Sequence, residues 1–149
     1  MDMEEIRFRH TLPVQIRFSD VDQYGHMNNS VYFSLYDLAK TSYLRDVFGT
    51  LVWDKLGIVV ANINADFLAP VFFTDQLEIE TAVTHLGHKS FTLLQRAIDR
   101  ASGLLKCQCR TVMVAYDTVA KVPVELPEDF KRTVCAYEGK TLEELSLQG

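Results

Sequence analysis

The chain has 149 residues, of which 48% are hydrophobic and 23% charged, and its formal net charge is −5. This composition is typical of a soluble globular protein, so we expect one domain with its own core over residues 1–149. The acidic balance argues against a nucleic-acid partner, because nucleic-acid-binding domains usually carry a basic face.

Targeting signals and cysteine usage both favour a cytoplasmic protein. Residues 1–5 are acidic and lack an apolar core, so we expect no signal peptide. No apolar run reaches the roughly 18 residues that a membrane span needs. Cys107 and Cys109 stand two apart in an alternating segment, which predicts free, buried thiols. A Cys-x-Cys metal site is the alternative, but no nearby His or Cys would complete a tetrahedral set.

The spacing of apolar residues predicts one long helix among five strands. A first strand over 12–19 precedes a helix over 29–48, in which apolar side chains recur every three or four residues and which ends at Gly49. Period-two alternation then predicts strands over 58–69, 76–86, 90–99 and 105–115. The apolar face of the strand over 58–69 should consist of Val59, Ala61, Ile63, Ala65, Phe67 and Ala69.

The C-terminal tail and the number of helices indicate how the sheet is covered. The C-terminal tail, 127–147, has helix-start signals after Pro127 and at Thr141. One helix of about 20 residues covers only one face of a five-stranded sheet. The other face or an edge of the sheet should therefore meet a partner chain.

The most informative segment joins the first strand to the helix. Two carboxylates, one imidazole and three carboxamides fall within ten residues there. An acid placed just before a helix N-terminus can meet a substrate carbonyl that is polarised by the free backbone N–H groups of the first turn. The pattern therefore predicts acyl transfer or hydrolysis.

This segment resembles the signature of the 4-hydroxybenzoyl-CoA thioesterase-like family of hotdog-fold proteins. The residues that carry the resemblance are Asp20-x-Asp22-x-x-Gly25-His26-Met27-Asn28-Asn29-x-x-Tyr32, followed by Tyr36-Asp37-x-Ala39-Lys40. The His-Met-Asn-Asn portion is most similar to the acyl-CoA and acyl-carrier-protein thioesterase branches. The resemblance implies an α+β hotdog domain, in which an antiparallel sheet of five or six strands wraps around one long central helix. It also implies homodimers or homotetramers that hydrolyse acyl-CoA or acyl-carrier-protein thioesters, without a cofactor or metal beyond the CoA of the substrate.

The resemblance assigns three catalytic residues within the motif. Asp22 would be the nucleophile or the general base for water, and the sequence does not separate these roles. His26 would donate to the carbonyl or orient a water, and the backbone N–H of Asn29 would face the thioester carbonyl. The alternatives are a turn-forming or helix-capping Asp22, a structural His26 and asparagines that only cap the helix.

The neighbouring acid, Asp20, has two possible roles. If the first strand continued through Asp20 and Asp22, their side chains would point to the same side of the strand. Repulsion between the two carboxylates would then raise the pKa of one of them. In the alternative, Asp20 hydrogen-bonds to the backbone of the turn.

Six further residues are candidates for substrate binding: Asn28, Asp37, Asn64, His88, Lys89 and Ser90. Asp37 stands where the family usually has Glu. Asn64 belongs to a polar row that we expect near the partner's Asp22. The turn 88–90 offers a cation and a hydroxyl to CoA phosphate or pantetheine, or is simply a solvated turn. Lys106 should face solvent together with other basic residues.

Two other functions remain as alternatives. A hotdog dehydratase would act on hydroxyacyl thioesters, but its acid and histidine are usually placed differently. The chain could instead be a non-catalytic module that binds acyl-CoA. If such a module were a sensor, it would normally carry a DNA-binding segment, and the acidic net charge of this chain does not suit DNA binding.

Overall fold

A computed structural model describes residues 6–146 of the chain. Its elements are β1 (His10–Pro13), α1 (Asn29–Phe48), β2 (Leu56–Phe67), β3 (Leu77–Leu86), β4 (Ser90–Asp99), β5 (Leu105–Asp117), β6 (Val122–Pro123), α2 (Glu128–Glu138) and α3 (Leu142–Ser146). The expected acidic N-terminus, 1–5, and the end of the predicted C-terminal tail lie outside the described residues. None of the helices in this part of the chain combines the length and apolar character that a membrane span requires.

The strands form one antiparallel sheet in the order β1-β3-β4-β5-β2, and the short β6 pairs with the end of β5. Short turns join β3, β4 and β5, so consecutive strands are neighbours in the sheet. The 12-residue strand β2 is reached through α1 and lies at an edge of the sheet. The predicted sheet of five or six antiparallel strands with one long helix is confirmed.

Helix α1 has the bounds that the sequence predicts. Its buried side chains include Tyr32, Tyr36, Ala39 and Tyr43, which recur every three or four residues along one side of the helix. Gly49 ends the helix in the left-handed region, at φ 74°, where its N–H bonds to the carbonyl of Arg45.

The two halves of α1 belong to different parts of the core. The C-terminal half packs with β3, β4 and α2, around Tyr43, Phe91 and Phe130. The N-terminal half packs with Val71, Cys107 and other buried side chains. Cys107 and Cys109 are free, buried thiols, as predicted. Helix α2 packs against the C-terminal half of α1, so the N-terminus of α1 remains available for a site.

The predicted first strand is wrong beyond Pro13. Strand β1 ends there, and Phe18–Asp20 form a single 3-10 turn. The cause is local: the Asp20 carboxylate accepts a hydrogen bond from the backbone N–H of Arg17 and closes the turn. The alternation of apolar and polar residues up to Phe18 therefore does not reflect a continuous strand.

The predicted apolar face of the following strand is also wrong for its first half. A β-bulge between Val60 and Asn62 shifts the register of β2 against β5. After the bulge, Ala65 and Phe67 pack towards α1 as predicted. Before it, Ile58 and Val60 face α1, and Val59 is 44% exposed. One extra residue is enough to exchange the two faces of a strand.

Candidate active site

The chain between the 3-10 turn and α1 forms a tight polar loop around Asp22. The Asp22 Oδ1 atom accepts the backbone N–H groups of Tyr24 at 2.8 Å and His26 at 3.2 Å, and the Asp22 N–H donates to the carbonyl of His26. Gly25 completes the loop at φ 77°, a conformation that favours glycine. Asp22 is thus a turn former through Oδ1, while its exposed Oδ2 has no hydrogen-bond partner among residues 6–146.

Asp20, two residues earlier, has a structural role instead. Its carboxylate is buried and accepts hydrogen bonds from the Arg17 backbone and guanidinium, with Oδ1 at 2.9 Å from Nη2. The hydrogen bonds from Arg17 lower the pKa of Asp20 below its ordinary value. Asp20 therefore hydrogen-bonds to the backbone of the turn, as the second of the two predicted roles requires. Its pKa is not raised by repulsion from Asp22.

The first turn of α1 presents backbone donors without acceptors. The N–H of Asn28 bonds to the carbonyl of Asp20, and the N–H of Val31 bonds to the carbonyl of Asn28. Between them, the N–H groups of Asn29 and Ser30 have no acceptor within the described part of the chain. Asn28 occupies the N-cap position, but its side chain makes no capping hydrogen bond. The positive end of the helix dipole adds to the attraction of these donors for an anionic oxygen.

Asn29, which carries the first of these donors, borders a cleft of about 210 Å³. Its lining residues are His26, Met27, Asn29, Tyr32, Phe67, Leu68, Ala69 and Pro70. The structure thus brings two of the predicted catalytic residues, His26 and Asn29, to one cleft, with Asp22 beside it on the same loop. Burial raises the pKa of Tyr32 to about 12.

The opposite wall of the cleft is the segment that follows β2. The N–H of Met27 bonds to the carbonyl of Val71 at 2.8 Å. His26 and Phe72 form an isolated antiparallel bridge, and their rings meet edge to face at 5.2 Å. This segment therefore fixes the loop that carries His26 from the side away from Asp22.

Lys106 does not face solvent, contrary to the prediction. It is only 4% exposed, and its Nζ lies 2.9 Å from the carbonyl oxygen of Pro70 and 3.0 Å from Oδ2 of Asp75. Period-two alternation correctly separates Lys106 from Cys107. However, no local pattern shows that the segment after β2 folds over this side chain.

Two predicted substrate-binding residues lie outside the cleft of their own chain. Asp37 is exposed on α1 and forms an ion pair with Lys40 at 2.9 Å. Asn64 pairs in register with Arg110, on the face of the sheet opposite to the one that packs on α1. A substrate contact from Asn64 therefore requires a second chain or an extended ligand.

The turn 88–90 lies at the far end of the sheet. Ser90 pairs with Val114, whereas Cys107, near the cleft, pairs with Ala97. Seven residues of β5 separate these positions, or about 23 Å at the usual rise of a strand. His88 faces Glu125, with 3.2 Å between Nδ1 and Oε1. Within one chain, His88, Lys89 and Ser90 are thus remote from the first turn of α1, and their role in CoA binding stays a prediction.

Comparisons with known proteins agree with the fold and with the motif. Residues 16–134 match the model of the thioesterase-like superfamily. The chain is 27% identical over 119 residues to the acyl-CoA thioester hydrolase YbgC of Escherichia coli O6:H1, a match that covers 78% of this chain and 88% of the relative. The long-chain acyl-CoA thioesterase FadM of Escherichia coli K12 is 30% identical over 84 residues, or 55% of this chain and 64% of the relative.

A solved structure agrees over nearly the whole chain. The thioesterase of Thermus thermophilus complexed with coenzyme A and Zn superposes with a TM-score of 0.79 at 27% identity. The superposition covers 90% of this chain and 98% of that protein.

Proposed function

Since this chain belongs to the thioesterase-like superfamily and is a thioesterase, we propose that it hydrolyses acyl-CoA or acyl-carrier-protein thioesters at the first turn of α1. The observation that carries this proposal is that the N–H groups of Asn29 and Ser30 have no acceptor among residues 6–146, and that Asn29 and His26 line the same cleft. Two donors at a helix N-terminus suit the oxyanion that forms when a thioester carbonyl is attacked.

The proposed chemistry uses one carboxylate, these donors and the His26 imidazole, which donates to the thioester carbonyl or orients the attacking water. The thioester carbonyl oxygen accepts hydrogen bonds from Asn29 and Ser30, while either Asp22 Oδ2 or a water attacks the carbonyl carbon. In the water route, Asp22 takes the proton that the water loses. The C–S bond then breaks, the thiolate takes up a proton, and the carboxylic acid is released. In the nucleophile route, an aspartyl anhydride forms first and water cleaves it.

Thiol release from a panel of aliphatic and aryl acyl-CoAs tests the proposal. A coloured thiol reagent added after quenching measures the product, and an acyl-carrier-protein series tests the other carrier. We expect release above the uncatalysed rate with at least one substrate of the panel. Absence of release from both carrier types would refute the proposed hydrolysis.

The two alternatives give different results in the same assays. A non-catalytic binding module would bind acyl-CoA in a calorimeter and release no thiol. A dehydratase would convert hydroxyacyl-CoA into enoyl-CoA, which absorbs in the ultraviolet, and would leave the C–S bond intact. The arrangement of Asp22 before a helix with free donors favours hydrolysis over both.

We further propose that the protein is a homodimer or homotetramer that pairs through β2. This edge strand leaves apolar side chains partly exposed on both of its faces, namely Val59, Val60, Ile63 and Phe67. A long, apolar, unpaired edge is unfavourable in water and suits antiparallel pairing with a second copy. Light scattering should give at least twice the chain mass of 17.0 kDa, and a value equal to it at micromolar concentration would refute the assembly.

The assembly would also allow one active site to draw on two chains, with Asn64 near the partner's Asp22. A mixed dimer tests this arrangement. Subunits carrying Asp22→Asn are combined with subunits carrying Asn64→Arg, each inactive alone, and heterodimers are confirmed by mass. A shared site restores about one active site per heterodimer, whereas no recovery of thiol release would show that each site belongs to one chain.

A further inference from the structure

A buried ammonium group lies behind the wall of the cleft, outside the residues to which the proposed reaction assigns a role. The Lys106 side chain is 5% exposed and that of Asp75 is 13% exposed. Lysine is rarely buried unless its charge is paired, since an unpaired ammonium in the interior is strongly unfavourable. A neutral side chain could fill the same volume, so the presence of a charge here needs an explanation.

Lys106 holds the segment 68–75 through both its backbone and its side chain. Its carbonyl accepts the N–H groups of Leu68 and Ala69, at 2.9 and 3.0 Å. Its ammonium donates to the carbonyl of Pro70 and pairs with the carboxylate of Asp75. The segment from the end of β2 to the start of β3 is thus fixed at several points by one residue of β5.

The Lys106 ammonium is linked to the cleft residue His26 by contacts with the Phe72 ring. Lys106 Nζ lies 5.2 Å from the centre of the Phe72 ring, a distance at which a cation is attracted to the ring face. Asp75 Oδ2 also accepts the Phe72 N–H at 2.9 Å. The Phe72 ring in turn packs edge to face against the imidazole of His26.

From these contacts we infer that Lys106 is a positioning residue of the active site, which sets the orientation of the His26 imidazole through Phe72 and Asp75. Lys106 itself does not line the cleft. The inference rests on the proposed thioester hydrolysis, because it gives His26 a reaction to serve. Small displacements of a positioned group can lower a rate by one to two orders of magnitude.

Kinetics of Lys106→Met test the inference. The variant keeps an unbranched side chain of similar length and removes the charge. We expect kcat to fall about tenfold or more, with KM changed less than threefold. The matched control is Tyr43→Phe, which removes a buried hydrogen bond to Glu138 in the other half of the core. This control should lose stability and keep kcat per folded molecule.

A double-mutant cycle with His26→Ala separates positioning from a general loss of packing. If Lys106 acts through His26, Lys106→Met should change kcat less than threefold in the His26→Ala background. An equal loss in both backgrounds, or a kcat within threefold of wild type for Lys106→Met alone, would overturn the inference. Should Lys106→Met not fold, Phe72→Leu replaces it, because Phe72 is partly exposed and its ring is the link to His26. Full activity of Phe72→Leu would equally overturn it.

An NMR measurement keeps this inference distinct from the proposed function. The chain has four histidines, so the imidazole resonances of His26 can be assigned by substitution. Loss of the Lys106 charge should move them, because the Phe72 ring shifts, and Tyr43→Phe should not. If wild-type protein hydrolyses no thioester, the proposed function fails. The positioning of His26 is then decided by these resonances alone, and unchanged resonances in Lys106→Met would refute it.

Discussion

Asp22→Asn tests whether the exposed carboxylate before α1 does chemistry or only shapes the turn. In the structure, Asp22 Oδ1 accepts two backbone N–H groups, from Tyr24 and His26. An asparagine offers an amide oxygen to the same two donors, so the loop should keep its conformation. The substitution replaces only the unpaired Oδ2 by an NH₂ group, which can neither attack a carbonyl nor accept a proton from water.

The expected effects on stability and on turnover therefore differ in size. Both hydrogen bonds persist with a neutral acceptor at an exposed position, so the free energy of unfolding should fall by no more than about 1 kcal/mol. Removal of a general base or nucleophile costs about 10²- to 10⁴-fold in rate or more. Denaturant unfolding followed by fluorescence measures the first quantity, and thiol release from the best acyl-CoA of the panel measures kcat.

Asp20→Asn provides the matched control, two residues away with the same change of group. Asp20 is buried and bound to Arg17, so this variant should lose about 1–3 kcal/mol of stability. Its kcat per folded molecule should stay within about threefold of wild type. If Asp22→Asn also retained activity within about threefold, the assignment of Asp22 would be refuted, and the turn-forming role would be its only one.

Three further outcomes are expected. Tyr43→Phe leaves the buried Glu138 carboxylate without one donor, and should lower the unfolding free energy by about 1–3 kcal/mol; an unchanged denaturation midpoint would contradict this. Burial lowers the pKa of His10 below its ordinary value of 6.5, so the unfolded chain binds this proton more readily and stability should decrease as the pH falls below about 6.5. The slope should flatten in His10→Gln, and an unaltered slope would exclude His10 as its cause. Thiol release should be insensitive to EDTA, and a loss that Zn²⁺ reverses would overturn a metal-free mechanism.

The features that the sequence predicts well are those decided by local chemistry. The bounds of α1 follow from apolar spacing and from Gly49, which adopts the left-handed conformation that ends the helix. The adjacency of β3, β4 and β5 needs only the preference of short turns for neighbouring strands, whereas the pairing of β1 with β3 and of β2 with β5 does not follow from it. The loop of Asp22 and the first turn of α1 are also local, because every residue concerned lies within about ten positions of the next.

The features that the sequence does not predict depend on contacts between distant segments or on one inserted residue. The bulge near Ala61 exchanges the two faces of β2. The sequence of this segment is equally compatible with an unbroken alternation of apolar and polar residues. Asp20 is drawn into a 3-10 turn by the Arg17 backbone, where alternation alone indicates a strand. In both cases a period-two pattern permits two backbone paths, and hydrogen bonding selects one of them.

Lys106 shows how such contacts bear on function. Its place on the outer side of β5 is correctly read from the alternation, but its environment depends on Asp75 and Pro70, more than 30 positions earlier in the chain. The motif around His26 predicts which groups react and says nothing of what holds them. A motif alone therefore gives an incomplete description of a site in which a ring or a charged group from another strand positions a reacting side chain. Here His26 rests on Phe72 and, through it, on Lys106.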